Sequence, residues 1–321
     1  MKRLGTSILS AAAALAGLTM SSGAIAQATW NLYSSGVGTN GCQQNSTNSG
    51  TYGNSWGCTG SSSTKVTASA WSADRGAPLV GTYNTQAEID YLSGSGYASA
   101  YLSPQGTSGF GAASRSEGIG ATSPNHAFDS ISPGTQDLLL LDFGSASVIL
   151  NSIGIGWKGT YDSDITLMRW TGTTAPTITT GSSYRSGDGE QNLSSALATS
   201  TTAGWSLVGS YSNLAPDNTV ASNGSPTFGD AAVNTGATQA SSWWLISTFN
   251  STLNGGTSCK KSDGTTTTCT NSDDAFKLNF VSATVPKTPP TGNVPEPGSL
   301  ALAGLALAGL FGVRRSARKS V

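Results

Sequence analysis

The stretch Asp137-Leu138-Leu139-Leu140-Leu141-Asp142-Phe143 (DLLLLDF) decides how this chain is read. Four leucines in succession, bracketed by acids, leave no polar side for water, which suits a central strand covered on both faces. Gly144-Ser145 makes a turn, and Val148–Trp157 (VILNSIGIGW) is again β-branched and apolar, broken at Asn151 and Ser152. Ile165–Trp170 (ITLMRW) follows with neither face cleanly polar. Three strands in succession with short connections predict an antiparallel meander.

Upstream, Ala28–Thr64 is polar, with Trp30, Tyr33, Tyr52 and Trp56 as its large anchors. In Lys65–Trp71 (KVTASAW), Val66, Ala68 and Ala70 alternate with polar neighbours, the period of a strand. Gln86–Leu92 predicts one or two helical turns capped by Thr85, and the Gly/Ser-rich 94–119 stretch reads as loop or irregular strand. Downstream, Trp205–Tyr211, Trp243–Phe249 and Ala275–Val285 are strands. In the last, Phe276, Leu278 and Phe280 alternate with Lys277 and Asn279, which predicts one apolar face. Seven or eight short strands and almost no helix predict an all-β fold, a single jelly-roll-like β-sandwich with long Ser/Thr/Gly-rich loops over residues 27–285.

Both ends read as processing segments. Lys2 and Arg3, the apolar core Ile8–Leu18 and the small-x-small site Ala24-Ile25-Ala26 before Gln27 make residues 1–26 a secretory signal peptide. At the other end, a Pro/Thr linker (286–293) precedes Val294-Pro295-Glu296-Pro297. An uncharged run, Leu300–Val313, then leads to Arg314, Arg315, Arg318 and Lys319. As a helix those 14 residues span roughly 21 Å at about 1.5 Å each, short against a hydrocarbon core of about 30 Å. The basic end resists translocation and keeps the preceding chain outside. Such a marginal transmembrane span suits a temporary anchor.

These tail residues resemble the PEP-CTERM sorting signal of Gram-negative bacteria. In that family an exosortase, an integral-membrane cysteine transpeptidase, recognises the tail and cuts near Pro-Glu-Pro. The resemblance implies export by the secretion machinery, transient inner-membrane anchoring, and delivery to the cell surface or extracellular matrix. A looser resemblance, to exosortase-dependent surface proteins, rests on His126, Asp137–Phe143, Gly156-Trp157, Asp162-x-Asp164 and Phe276-Lys277-Leu278. It adds location and no enzymatic activity.

Removing both processing segments takes six of the 16 basic residues and one of the 17 acidic ones, leaving 10 against 16 and a net charge of −6. Such a chain has no electrostatic footprint for nucleic acid. Four cysteines stand as two local pairs, Cys42 with Cys58 and Cys259 with Cys269. Disulfides are the leading reading for an exported chain, and the local pairing is favoured because each closes a short polar loop with little apolar burial.

Motifs for catalysis are incomplete. Gly154-Ile155-Gly156-Trp157-Lys158-Gly159 fits G-x-G-x-x-G, yet another strand follows where a dinucleotide site needs a helix. Gly53-Asn54-Ser55-Trp56-Gly57 fits G-x-S-x-G but lacks the strand and helix of a nucleophile elbow and reads as loop. His126 is the only histidine, so any Ser-His-Asp relay must use it, with Asp129 and Ser130 nearest in sequence. Asp162 and Asp164, at i and i+2 in a turn, are candidate Ca2+ ligands, with Asp142, Asp188, Glu190, Asp273 or Asp274 to complete the shell. Tyr161 and one of Trp243-Trp244 are candidate stacking platforms for sugar rings, since adjacent strand residues face opposite ways. The expectation is a non-enzymatic structural or interaction protein of the surface. A Ca2+-assisted carbohydrate-binding module for extracellular polysaccharide is the alternative.

Overall fold

In the computed structural model the leucines of the DLLLLDF run divide between two apolar environments: Leu139 and Leu141 join one core, Leu138 and Leu140 another. The structure describes residues 26–34, 41–45, 52–74, 97–114, 117–119, 126–131, 135–176, 178–180, 191–193, 204–214, 229–261, 263–270 and 274–286. They lie within one compact unit, Ile25–Pro286. The expected helix at 86–92, the signal segment before Ala26 and the sorting tail fall outside the described residues. Among the described residues no helix is long and apolar enough to cross a membrane.

The unit is almost all β, in two sheets. The smaller holds β1 (Ala26–Asn31), β6 (Tyr101–Pro104), β7 (Phe110–Ala113), β8 (Phe128–Asp129), β10 (Ile149–Trp157), β15 (Gly229–Ala232) and β19 (Ala275–Val285). The larger holds β2 (Gln43–Gln44), β3 (Ser55–Thr59), β4 (Lys65–Asp74), β5 (Tyr97–Ser99), β9 (Thr135–Asp142), β11 (Ile165–Trp170), β12 (Ile178–Thr180), β13 (Gln191–Leu193), β14 (Trp205–Tyr211), β16 (Trp243–Thr248), β17 (Ser258–Lys260) and β18 (Thr266–Thr268). The smaller sheet runs β15-β10-β19-β7-β6, with β1 and β8 also on β19; the larger runs β12-β13-β5-β4-β9-β16-β11-β14-β17-β18, with β3 on β4 and β2 on β3. The first and last strands are partners, Ala26 opposite Val285 and Asn31 opposite Phe280.

One apolar core serves both sheets. Trp30, Ile153, Ile155, Phe276 and Leu278 of the smaller sheet share it with Val66, Ala68, Leu139, Leu141, Ile165, Leu167, Trp244 and Ile246 of the larger. Two ring pairs cross between the sheets, Trp30 edge-on to Phe143 at 4.9 Å and Trp56 to Phe110 at 5.4 Å. On the other face of the larger sheet Trp71, Tyr97, Leu138, Leu140, Met168, Trp205 and Leu245 form the second cluster. This two-sided burial explains why β9 carries no alternation.

The meander is not formed. β9 pairs with β4 and β16, β10 pairs with β19 and β15 in the other sheet, and β11 returns to pair with β16 and β14. A strand that is apolar on both sides carries no mark of which neighbour it takes, and short connections here switch sheets instead of making hairpins. The single apolar face expected of Ala275–Val285 also changes. Phe276 and Leu278 enter the core, but after a register shift against β10 the core residues become Val281 and Ala283. Phe280 is left with its ring against Gly154. The extra residue of a bulge moves the alternation to the other side. Strands β5, β6 and β7 occupy the 94–119 stretch, and Ser55–Thr59, expected as loop, is strand β3.

Candidate functional sites

Asp162 and Asp164 sit in the turn between β10 and β11, where the chain crosses the start of β19. Asp162 bridges to Asp274, and the Ala275 N–H donates to the Asp162 carbonyl at 2.9 Å. This brings Asp274 to the predicted pair, and the three carboxylates lie within 4.8 Å of one another. Each already accepts hydrogen bonds: Asp162 Oδ1 from Ser163 N at 2.7 Å, Asp164 Oδ1 from Asn213 N at 2.7 Å, and Asp274 Oδ1 from Asp164 N at 2.9 Å. Asp274 Oδ2 accepts from the Ser130 hydroxyl at 3.3 Å. Asp164 is 1% exposed and Asp274 fully buried. Burial, with the Asp162 charge beside it, raises the Asp164 carboxyl to about 6 against the hydrogen bonds that favour its ionised form. The cluster offers hard oxygens of the kind Ca2+ takes, one from each carboxylate drawn together, against the six to eight that the ion prefers. Of the other acids considered, Asp142 accepts from Gly144 N in its own turn. Asp188, Glu190 and Asp273 lie outside the described residues.

Both disulfides pair locally, Cys42–Cys58 and Cys259–Cys269. The first is part of the core shared by the sheets, contrary to the expectation of little apolar burial around it. The second ties the β17–β18 hairpin and packs on Phe249. Its sulfurs lie beside the Asp164 carboxylate and, being bonded to each other, are not metal ligands.

The two residues nearest His126 in its predicted relay have partners of their own. The Ser130 hydroxyl donates to Asp274, and Asp129 Oδ1 accepts from Ile131 N. Burial and the Lys277 charge hold the imidazole below its ordinary range. Lys277 is the residue least expected here. Its place in an alternating strand suggests solvent, yet it is 4% exposed, with Nζ 4.5 Å from the centre of the Trp157 ring. Burial lowers its ammonium pKa as well. Tyr161 stands 6.5 Å from Trp157, ring centre to ring centre.

The remaining motifs resolve into packing. In the G-x-G-x-x-G stretch a side chain at Gly156 would put its Cβ 2.2 Å from the Ser108 carbonyl oxygen, and strand β11, not a helix, comes next. In the G-x-S-x-G stretch Asn54 is buried and its amide bonds both backbone groups of Leu102, donating at 2.8 Å and accepting at 2.7 Å. Trp244 is buried in the core and Trp243 packs on the opposite cluster, half-buried.

Among the predicted processing residues the structure describes only Ala26 and Gln27, both in β1. The other predicted processing residues, Ala24, Val294 to Pro297, Arg314, Arg315, Arg318 and Lys319, fall outside the described residues. For these the comparison with known families is informative. The model of the PEP-CTERM protein-sorting motif matches residues 293–316, which takes in Val294-Pro295-Glu296-Pro297, the apolar run, Arg314 and Arg315. No curated protein and no solved structure matches the chain. The chain therefore carries a PEP-CTERM protein-sorting motif, the mark of an exosortase-targeted, exported protein of the cell surface or extracellular space.

Proposed function

We propose that this chain is a non-catalytic structural or interaction protein of a Gram-negative cell surface or matrix. It is made with a signal peptide at residues 1–26 and held briefly in the inner membrane by the helix at 300–313. Exosortase releases it near Pro295-Glu296-Pro297, and it acts as a jelly-roll-like β-sandwich. The observation that carries this reading is the sorting motif at 293–316. Two disulfides in a lightly charged, acidic unit support it, since they suit an oxidising compartment. The test is expression of the chain, with an epitope in an exposed loop, in cells with and without exosortase. A shorter, released form is expected only where the enzyme is present. Equal size and equal membrane retention in both strains rejects the reading.

A second reading is an adhesion module that binds matrix glycan, with Ca2+ bracing the turn at Asp162 and Asp164. The approach of Asp274 to that pair favours it. A glycan array probed with and without chelator is expected to show binding, and silence under both conditions removes the reading.

A further inference from the structure

The acidic turn lies before the start of β11; near the strand's other end, five residues and roughly 16 Å from Asp164, stands Arg169. Among the described residues its guanidinium makes one hydrogen bond, Nη2 donating to Oε1 of Gln239, and meets no carboxylate. A guanidinium has five N–H donors set in a planar fork, so most of them remain available. Beside it is a groove of about 250 Å³ lined by Arg169, Leu207, Val208, Asn234, Thr238 and Gln239. It lies where β11 and β14 meet the turn that follows β15.

The walls are held in place. The Asn234 N–H donates to the Tyr211 hydroxyl at 2.6 Å, and its side-chain amide donates to the Leu150 carbonyl at 3.1 Å. Its φ of 54° is a left-handed conformation that asparagine adopts more readily than most residues. Leu207, at 38%, is the one exposed large apolar side chain among the described residues, and it forms part of the lining.

Each feature narrows the ligand. An unanswered guanidinium selects an anion, and its fork matches a carboxylate. Thr238 and Gln239 supply hydroxyl and amide groups for hydroxyl partners. Leu207 and Val208 make a shelf for a face of C–H groups. The volume falls below the about 300–1,000 Å³ of whole small-molecule sites, so it holds a ring-sized unit of a longer chain. A carboxylate, several hydroxyls and an apolar ring face on one such unit describe a uronic acid. We propose that this groove binds a uronic-acid residue of an acidic polysaccharide, with Arg169 as the carboxylate contact. The proposal rests on the glycan-binding reading and gives it a site apart from the acidic turn.

The full-length chain in mild detergent, titrated calorimetrically with oligogalacturonate and with a neutral gluco-oligosaccharide of equal length, tests it. Binding is expected for the uronate alone, weakening as salt rises and indifferent to EDTA. R169Q is expected to lose about tenfold or more in affinity while keeping the wild-type melting temperature. Undiminished binding by R169Q, or a preference for the neutral oligomer, overturns the proposal. A peptide whose free C-terminal carboxylate competes as well as the oligouronate overturns its sugar half. Where the array shows glycan binding but oligogalacturonate does not bind, this site is wrong and the glycan reading stands.

Discussion

At Asp164 burial and charge oppose each other. Its carboxyl is raised from 3.8 to about 6, so the folded chain holds that proton more tightly than the unfolded one. The resulting stability is complete below about pH 4 and is lost as pH rises through about 6. The thermal midpoint is therefore expected to fall across that window. D164N stays neutral and keeps an oxygen for the Asn213 N–H, so it should flatten the slope; an unchanged slope in D164N shows that another group is responsible. If the three carboxylates take Ca2+, millimolar calcium at pH 7 restores the midpoint in the parent and leaves D164N unmoved. Two of the three acids were legible as a pair, because acids at i and i+2 in a turn are visible in any sequence, while Asp274 was one of five candidates for the rest of the shell. Asp274, 110 residues beyond Asp164, is brought in by the pairing of separate segments, which local spacing does not encode. Lys277 was misleading for the opposite reason: alternation marks the second face of a strand but does not say that Trp157 covers it.

At the level of elements, β10 shows how a motif can be real and its chemistry absent. The glycine at 156 exists because the Ser108 carbonyl crosses within 2.2 Å of where a Cβ would stand. That neighbour is backbone and cannot swing aside. G156A is expected to destabilise the chain by about 1–3 kcal/mol, measured by urea unfolding, as overpacking does. A cost near zero means that the crossing segment relaxes freely. Strands announced themselves where one face met the core, as in β4. Short ones such as β5, β12 and β13 did not, since three residues give no readable period. Pairing was less legible still. β9, β10 and β11 are each apolar enough to suit either sheet, and the chain uses that freedom to pass from one to the other and back.

For the whole molecule, class and destination were legible while topology was not. Turn residues, β-branched runs and the scarcity of helix-forming stretches are statistical and survive in composition. Strand order depends on which of several equivalent apolar faces meet, and no single residue states it. The sorting tail was readable for a different reason: it is recognised as a linear segment, so its information lies along the chain. The groove beside Arg169 lay hidden because its walls come from β11, β14 and the turn after β15. The partnership of β1 with β19 carries a mechanical meaning. A pull that enters at Val285 runs along a strand flanked by β1 on one edge and β10 on the other. Ladder bonds of antiparallel neighbours lie across that pull, so they resist it together in shear instead of opening one by one as a zipper does. A pull arriving from the C-terminal side would thus be gripped at the strand best placed to bear load.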